Sequence, residues 1–266
     1  MLNLEKLNLR VLVADDSAVL RRFVREALTG ASSHIFVEET DNGADCLRHL
    51  SAFNYDLSFI DVNMPSLSGM EALAEARELG SETFVVIMSG ELTEERCELA
   101  RALKAYDYLL KPFKAEDIAG ILQSYYRVKT ASRVLVVDDS STVRKIVEKV
   151  LKGSIFDFEV DEVGNGASAL VAYQARRHDI VFLDINMPGI DGFETLELLR
   201  KTNPEVRVVF MTGDRTAGLS DAAKALGVQA FLHKPFFPEQ INSILHDLYG
   251  LRPPHLAAQD KDVIAI

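Results

Sequence analysis

Cysteine is nearly missing from this chain: Cys46 and Cys97 are the two among 266 residues. They have no metal-ligand spacing, and they read as reduced and incidental, as in a cytosolic protein, not as a disulfide framework. No apolar run approaches the roughly 18 residues of a membrane span. Glu5, Lys6 and Arg10 interrupt the first ten residues, so no signal-peptide core is expected there. Positive charge is also in short supply. Lys and Arg number 29 against 40 Asp and Glu, which gives a net charge of −11 and a pI of about 5.1. Direct grip on a nucleic-acid backbone and a polybasic membrane patch are both disfavoured by that balance. Hydrophobic residues make up 48% of the chain, enough for a core in each of two ordinary domains.

The chain is organised around Phe182-Leu183-Asp184-Ile185-Asn186-Met187-Pro188. The run from Ile180 to Leu183 reads as a buried parallel strand, with Asp184 at its carboxyl end and a loop from Met187. One such acid alone would read as a helix cap or a loop brace. The pattern occurs twice, however. Phe59-Ile60-Asp61-Val62-Asn63-Met64-Pro65 repeats it, and Asp61 and Asp184 lie 123 residues apart. Asp15-Asp16-Ser17 and Asp138-Asp139-Ser140 keep the same offset, as do Ser89-Gly90 and Thr212-Gly213, and Lys111-Pro112-Phe113 and Lys234-Pro235-Phe236. A whole domain is duplicated, with a period far beyond the roughly 20–50 residues of a solenoid.

In the first repeat, strands are expected at residues 10–14, 35–38, 57–61, 84–88 and 106–110, each followed by a helix. Ser17 should cap the first helix, with Val19, Leu20, Phe23, Val24 and Ala27 inward and Gly30 at its end. The fourth helix should turn Leu99, Ala102 and Leu103 inward. Strict alternation implies α/β architecture: two doubly wound, flavodoxin-like (βα)5 domains, each with a five-stranded parallel sheet. The expected domains are residues 1–129 and 130–250, with a C-terminal tail at 251–266. The link from Arg127 to Ser132 has neither Gly nor Pro and is no loose tether.

Each repeat puts two acids after strand one, one acid after strand three, a hydroxyl after strand four and a lysine after strand five. In a parallel sheet these ends meet at one edge. Three carboxylates together repel; at an effective dielectric near 20, two unit charges ~4 Å apart cost about 4 kcal/mol. A hard divalent cation relieves this, and magnesium suits a few carboxylates plus waters. A carboxylate, a metal, a lysine and a hydroxyl together suit phosphoryl transfer onto the carboxylate.

These four motifs, in order and twice over nearly the whole chain, resemble the receiver domain of two-component response regulators, the chemotaxis regulators among them. The resemblance implies that Asp61 and Asp184 are phosphoacceptors. It implies that Asp15, Asp16, Asp61 and the Asn63 carbonyl hold Mg2+ in the first domain, and Asp138, Asp139, Asp184 and the Asn186 carbonyl in the second. Ser89, Thr212, Lys111 and Lys234 would contact the phosphoryl group. Tyr108 and Phe231 would be the switch aromatics, although plain core packing accounts equally for a ring there. The repeats differ where Ser66 and Ser68 replace Gly189 and Asp191, where Ser58 replaces Val181, and where Lys104 replaces Gly227. The last leaves the fourth helix without its expected C-cap.

The reading is a cytoplasmic signalling module, not an enzyme beyond its own aspartyl phosphorylation and dephosphorylation. Its expected partners are a sensor histidine kinase or phosphotransfer protein upstream, and a downstream protein or a second copy. The alternative is the regulatory front of a larger regulator whose output domain makes or breaks a cyclic dinucleotide. An aspartate-nucleophile phosphatase lacks its Asp-x-Asp signature here, and a dinucleotide dehydrogenase lacks its Gly-rich loop.

Overall fold

The computed structural model describes residues 7–213 and 226–256. They form two compact units: one holds the chain up to Tyr126 together with a segment beginning at Arg252, and the other holds Arg127–Leu251.

The first unit runs β1 (Leu9–Ala14), α1 (Ala18–Ala31), β2 (Ile35–Thr40), α2 (Gly43–Ala52), β3 (Leu57–Asp61), α3 (Gly69–Glu78), β4 (Phe84–Ser89), α4 (Glu94–Ala102), β5 (Asp107–Leu110) and α5 (Ala115–Lys129). Its parallel sheet has the order β2-β1-β3-β4-β5. The second unit runs β6 (Ser132–Val137), α6 (Ser141–Lys152), β7 (Phe158–Val163), α7 (Gly166–Ala175), β8 (Ile180–Asp184), α8 (Gly192–Thr202), β9 (Arg207–Thr212), β10 (Ala230–His233) and α9 (Pro238–Leu248). Its sheet repeats that order, with β6 and β8 at the centre. The helix expected between β9 and β10 lies outside the described residues. Only Thr130 and Ala131 separate α5 from β6, a shorter link than expected.

The strand pattern follows from burial on both faces. Every residue of β3, β4 and β8 is buried, so each reads as a continuous apolar run ending in a polar residue. Ser58 sits inside β3 without breaking it, because backbone pairing to Leu12 and Val85 continues through it. Its hydroxyl is buried and has no hydrogen-bond partner among the described residues. Two glycines let α3 and α8 start against the strand tips. A Cβ on Gly69 would lie 1.9 Å from the Asp61 carbonyl oxygen, and one on Gly192 2.5 Å from that of Asp184.

Two helices differ from expectation. α1 continues through Gly30 and stops at Ser32, whose N–H bonds the Leu28 carbonyl and whose hydroxyl donates to the Leu7 carbonyl. Its buried stripe is Val24 and Leu28, with Leu20, Phe23 and Ala27 half-buried; Val19, off that stripe, is 81% exposed. In α4 the inward residues are Cys97 and Ala100, with Leu103 partly covered, while Leu99 is exposed. Both cysteines are thus core residues.

The end of α4 is capped after all. Lys104 takes φ 54°, its N–H bonds the Arg101 carbonyl at 2.9 Å, and the Ala105 N–H bonds the Ala100 carbonyl at 2.9 Å. That is a Schellman cap built on a lysine. Gly227 holds φ 64° at the matching place. The β3–α3 loop shows the same substitution: Ser66 has φ 72° where Gly189 has φ 82°. Ser68 replaces Asp191 as the N-cap and keeps the capping box, with Glu71 in place of Glu194. The first unit therefore keeps the backbone of the second with L-residues in a left-handed conformation that costs roughly 1–2 kcal/mol per residue.

Ser66→Gly and Lys104→Gly should each stabilise the protein, by about 1 kcal/mol after the entropy that glycine adds to the unfolded chain. Urea denaturation followed by circular dichroism checks this, and a lower midpoint in both variants would refute it. Ser58→Ala should also stabilise, by about 1 kcal/mol, because it removes a buried unsatisfied hydroxyl without removing volume.

Candidate functional site

The two sheet edges present the same constellation. In the first unit, Asp15 follows β1 and is buried, Asp61 ends β3 and is buried, and Asp16 is exposed. Their carboxylate oxygens lie within 4.8 Å of one another, as do those of Asp138, Asp139 and Asp184 in the second unit. Lysine closes each cluster. The Lys111 ammonium donates to Asp15 Oδ2 at 2.6 Å and to Asp61 Oδ1 at 2.7 Å. The Lys234 ammonium donates to Asp138 Oδ2 at 2.5 Å and to Asp184 Oδ1 at 2.8 Å. Both lysines retain some exposure, so the edge is open to solvent.

The peptide planes around the acids are fixed as well. Asp15 Oδ1 accepts from the Ser17 N–H at 2.9 Å, and Asp138 Oδ1 from the Ser140 N–H at 3.0 Å. Each serine in turn caps its helix. Sequence reasoning missed the guanidinium that holds the acidic loop from below. Arg21 donates to the Asp15 carbonyl at 2.6 Å and is anchored by Glu39; Arg144 donates to the Asp138 carbonyl at 2.7 Å and is anchored by Glu162. The signal was available, because this Arg–Glu pair recurs at the 123-residue offset.

Burial raises the carboxyl of Asp61 above its ordinary pKa; Lys111 opposes this, and the charges of Asp15 and Asp16 add to it. Asp184 is raised in the same way, by burial first, against Lys234 and with Asp138 and Asp139. Burial also pulls Lys111 down, but its two carboxylate partners outweigh that and leave it raised, and Lys234 behaves alike. Each site thus gathers more negative charge than one lysine neutralises. The donor set is all oxygen and hard, which fits a magnesium-sized cation. Asn63 and Asn186 are exposed two residues beyond the central acid, on the loop that leaves the strand.

Ser89 and Thr212 are fully buried at the ends of β4 and β9. Ser89 Oγ accepts from the Glu91 N–H at 3.2 Å and from Arg96 Nη1 at 3.4 Å. The Tyr108 ring is buried, and its hydroxyl donates to the Glu91 carbonyl at 2.8 Å. The start of the β4–α4 loop is therefore tied at both Ser89 and Tyr108. Phe231 is also buried, edge-on to Phe210 with ring centroids 5.6 Å apart.

A family model described as response regulator receiver domain matches residues 11–123 and again 134–246. A chemotaxis protein CheY of Listeria monocytogenes is 34% identical over 110 residues, which is 41% of this chain and 91% of that protein. A probable transcriptional regulator ycf27 of Cyanophora paradoxa is 31% identical over 121 residues, 44% of this chain and 47% of its own length. A solved structure of a probable two-component system response regulator/GGDEF domain protein superposes with a TM-score of 0.63 at 23% identity, covering 91% of this chain and 98% of that one. At that identity the likeness shows the fold alone.

The raised Asp61 and Asp184 carboxyls carry a stability consequence. A carboxyl whose folded pKa lies above its unfolded value favours the fold at low pH and loses that advantage as pH rises through the folded value. In metal-free protein at neutral pH, Asp61→Asn and Asp184→Asn should therefore melt higher than wild type, and the gain should vanish below the unfolded carboxylate pKa of about 4. Magnesium at a hundredfold its Kd should stabilise wild type by about 2.7 kcal/mol per occupied site. Scanning calorimetry across pH, with and without the metal, checks both; variants that melt lower than wild type at pH 7 would refute the electrostatic account.

Proposed function

The chain belongs to the response regulator receiver family and carries that domain twice, and from this we propose that both domains accept a phosphoryl group on Asp61 and on Asp184. The carrying observation is the lysine clasp, built twice with the same atoms: Lys111 on Asp15 and Asp61, Lys234 on Asp138 and Asp184.

The chemistry follows from the positions. An Oδ of Asp61 attacks the phosphorus of a phosphohistidine on a kinase or phosphotransfer protein. The O–P bond forms, the P–N bond breaks, and its electron pair leaves with the imidazole nitrogen. Burial strips water from the attacking oxygen, and Lys111 keeps the carboxylate oriented. Asp15, Asp16, Asp61 and the Asn63 carbonyl would hold Mg2+, as would Asp138, Asp139, Asp184 and the Asn186 carbonyl. When bound, the cation neutralises charge on the transferring group. Lys111 and Ser89, and in the second domain Lys234 and Thr212, then take the phosphoryl oxygens.

For Ser89 this means leaving its contacts with Glu91 and Arg96, and the β4–α4 loop moves with it. Tyr108 gives up the Glu91 carbonyl in that movement, and this makes it the switch in the first domain; Phe231 has the same place in the second. The output is a changed protein contact, with a downstream protein or a second copy, in the cytoplasm. No described helix is long and apolar enough to cross a membrane. A second reading keeps the same chemistry inside a larger regulator. It is favoured by relatives such as ycf27, of which the match covers 47%.

Intact protein incubated with magnesium and a small phosphodonor should gain up to two phosphoryl groups by mass. Asp61→Asn and Asp184→Asn should each remove one, and excess chelator should remove both. Undiminished labelling of the double variant would sink the assignment.

A further inference from the structure

The first unit contains a buried acid that its active site does not use. Asp107 opens β5, next to Tyr108, and is 1% exposed. The matching residue of the second unit is Ala230, so the receiver fold needs no acid there. A buried carboxylate is unfavourable unless it is paired and hydrogen-bonded. Part of the pairing is local: Asp107 Oδ1 accepts from the Tyr108 N–H at 2.7 Å. The rest comes from the segment after Leu251. The Arg252 guanidinium donates to Asp107 Oδ2, and the His255 N–H donates to Asp107 Oδ1 at 2.7 Å. The His255 ring nitrogen Nδ1 stands 3.4 Å from the same oxygen.

Two further contacts fix the segment. Arg101, on α4, donates from Nε to the Leu256 carbonyl at 3.1 Å. The Leu256 side chain is 6% exposed and belongs to the hydrophobic core that includes Cys97, Ala100 and Tyr108. The segment thus presents an arginine to a buried acid and, four residues later, a leucine to an apolar site. Pro253 and Pro254 between them limit the backbone freedom lost on docking.

We propose that Arg252–Leu256 is an intrachain ligand of the α4–β5 face of the first domain, closing that face to partners that present the same arginine and leucine. Asp107 is its specificity determinant, and the absence of an acid at Ala230 restricts the site to the first domain. Leu256 packs in the core that holds Tyr108 inward, so an occupied face favours the inward ring. The docking does not depend on Asp61 being a phosphoacceptor, and a failure of labelling would leave it standing.

The test compares the full chain with Arg252→Ala/Leu256→Ala, a variant changed only in the docked segment. Hydrogen exchange at the amides from Arg101 to Leu110 should be faster in the variant. A fluorescent peptide of the sequence Gly250–Leu256 should bind the variant about tenfold or more tightly than it binds wild type, where the competent open fraction is small. Adding Asp107→Asn to the variant should abolish peptide binding. Equal exchange over Arg101–Leu110 in the two proteins would overturn the proposal. So would a wild-type dimer that becomes monomeric in the variant, because the occupant would then be the segment of a second copy.

Discussion

Everything at the two sheet edges depends on one ammonium group held between two buried carboxylates. Asp15 and Asp61, like Asp138 and Asp184, sit where the topology puts them, at the carboxyl ends of adjacent central strands. With an exposed third acid beside them, the local charge would drive the strand tips apart. Lysine from the last strand offsets part of it, at 2.5–2.8 Å from four carboxylate oxygens across the two sites. It does not offset all of it, because one ammonium faces three acids at each edge. The residue of negative charge makes the edge receptive to a hard cation. Burial of those acids also sets the edge at some expense of stability.

The two copies keep this edge while their scaffolds have diverged. Glycine serves the second copy at both left-handed positions, Gly189 and Gly227; the first holds the same turns with Ser66 and Lys104. Valine fills the third strand of the second copy where the first buries a serine hydroxyl with no partner among the described residues. These replacements should each cost stability, but none of them changes an acid, the lysine or the hydroxyl of the site. The backbone tolerates them because neighbours over-determine it: the Schellman bonds of Lys104 and the Ser68–Glu71 capping box remain in place. Divergence at Ser66, Ser68 and Lys104 therefore leaves the backbone of the β3–α3 loop and of the end of α4 intact.

Strand runs and motif residues were legible in the sequence because they obey local rules. Apolar runs ending in Asp, Ser or Thr give the central strands, and a repeat at constant offset aligns every site residue. Helix faces were less legible. Val19 and Leu99 are apolar but off the buried stripe, and single-residue hydrophobicity does not distinguish them from Leu28 and Cys97. The end of α1 was misread at Gly30 because glycine is tolerated inside a helix when a better stop, here Ser32 bonded to Leu7, lies just beyond. The arginine under each acidic loop acts on backbone carbonyls, so its only mark in the sequence is its recurrence with a glutamate at the 123-residue offset.

Asp107 was invisible for a different reason: its partners lie about 145 residues away in sequence, after the second domain has been completed. A pairwise reading of the two repeats shows Asp107 against Ala230 but cannot say what the acid meets. Energetics narrows the choice. Leu256 adds to the apolar core around Tyr108, and Arg252 neutralises an acid within that core's wall. An element that contributes to the same core as Tyr108 shares in whatever equilibrium the ring has. If the docked segment prefers the inward ring, an outward ring must by the same free energy weaken the docked segment, because coupling between two sites is reciprocal. The second domain has an alanine at the corresponding place. Under the proposed function, two domains with matching side chains at their strand tips respond unequally, and the inequality resides in β5 and the chain that covers it rather than in the aspartates.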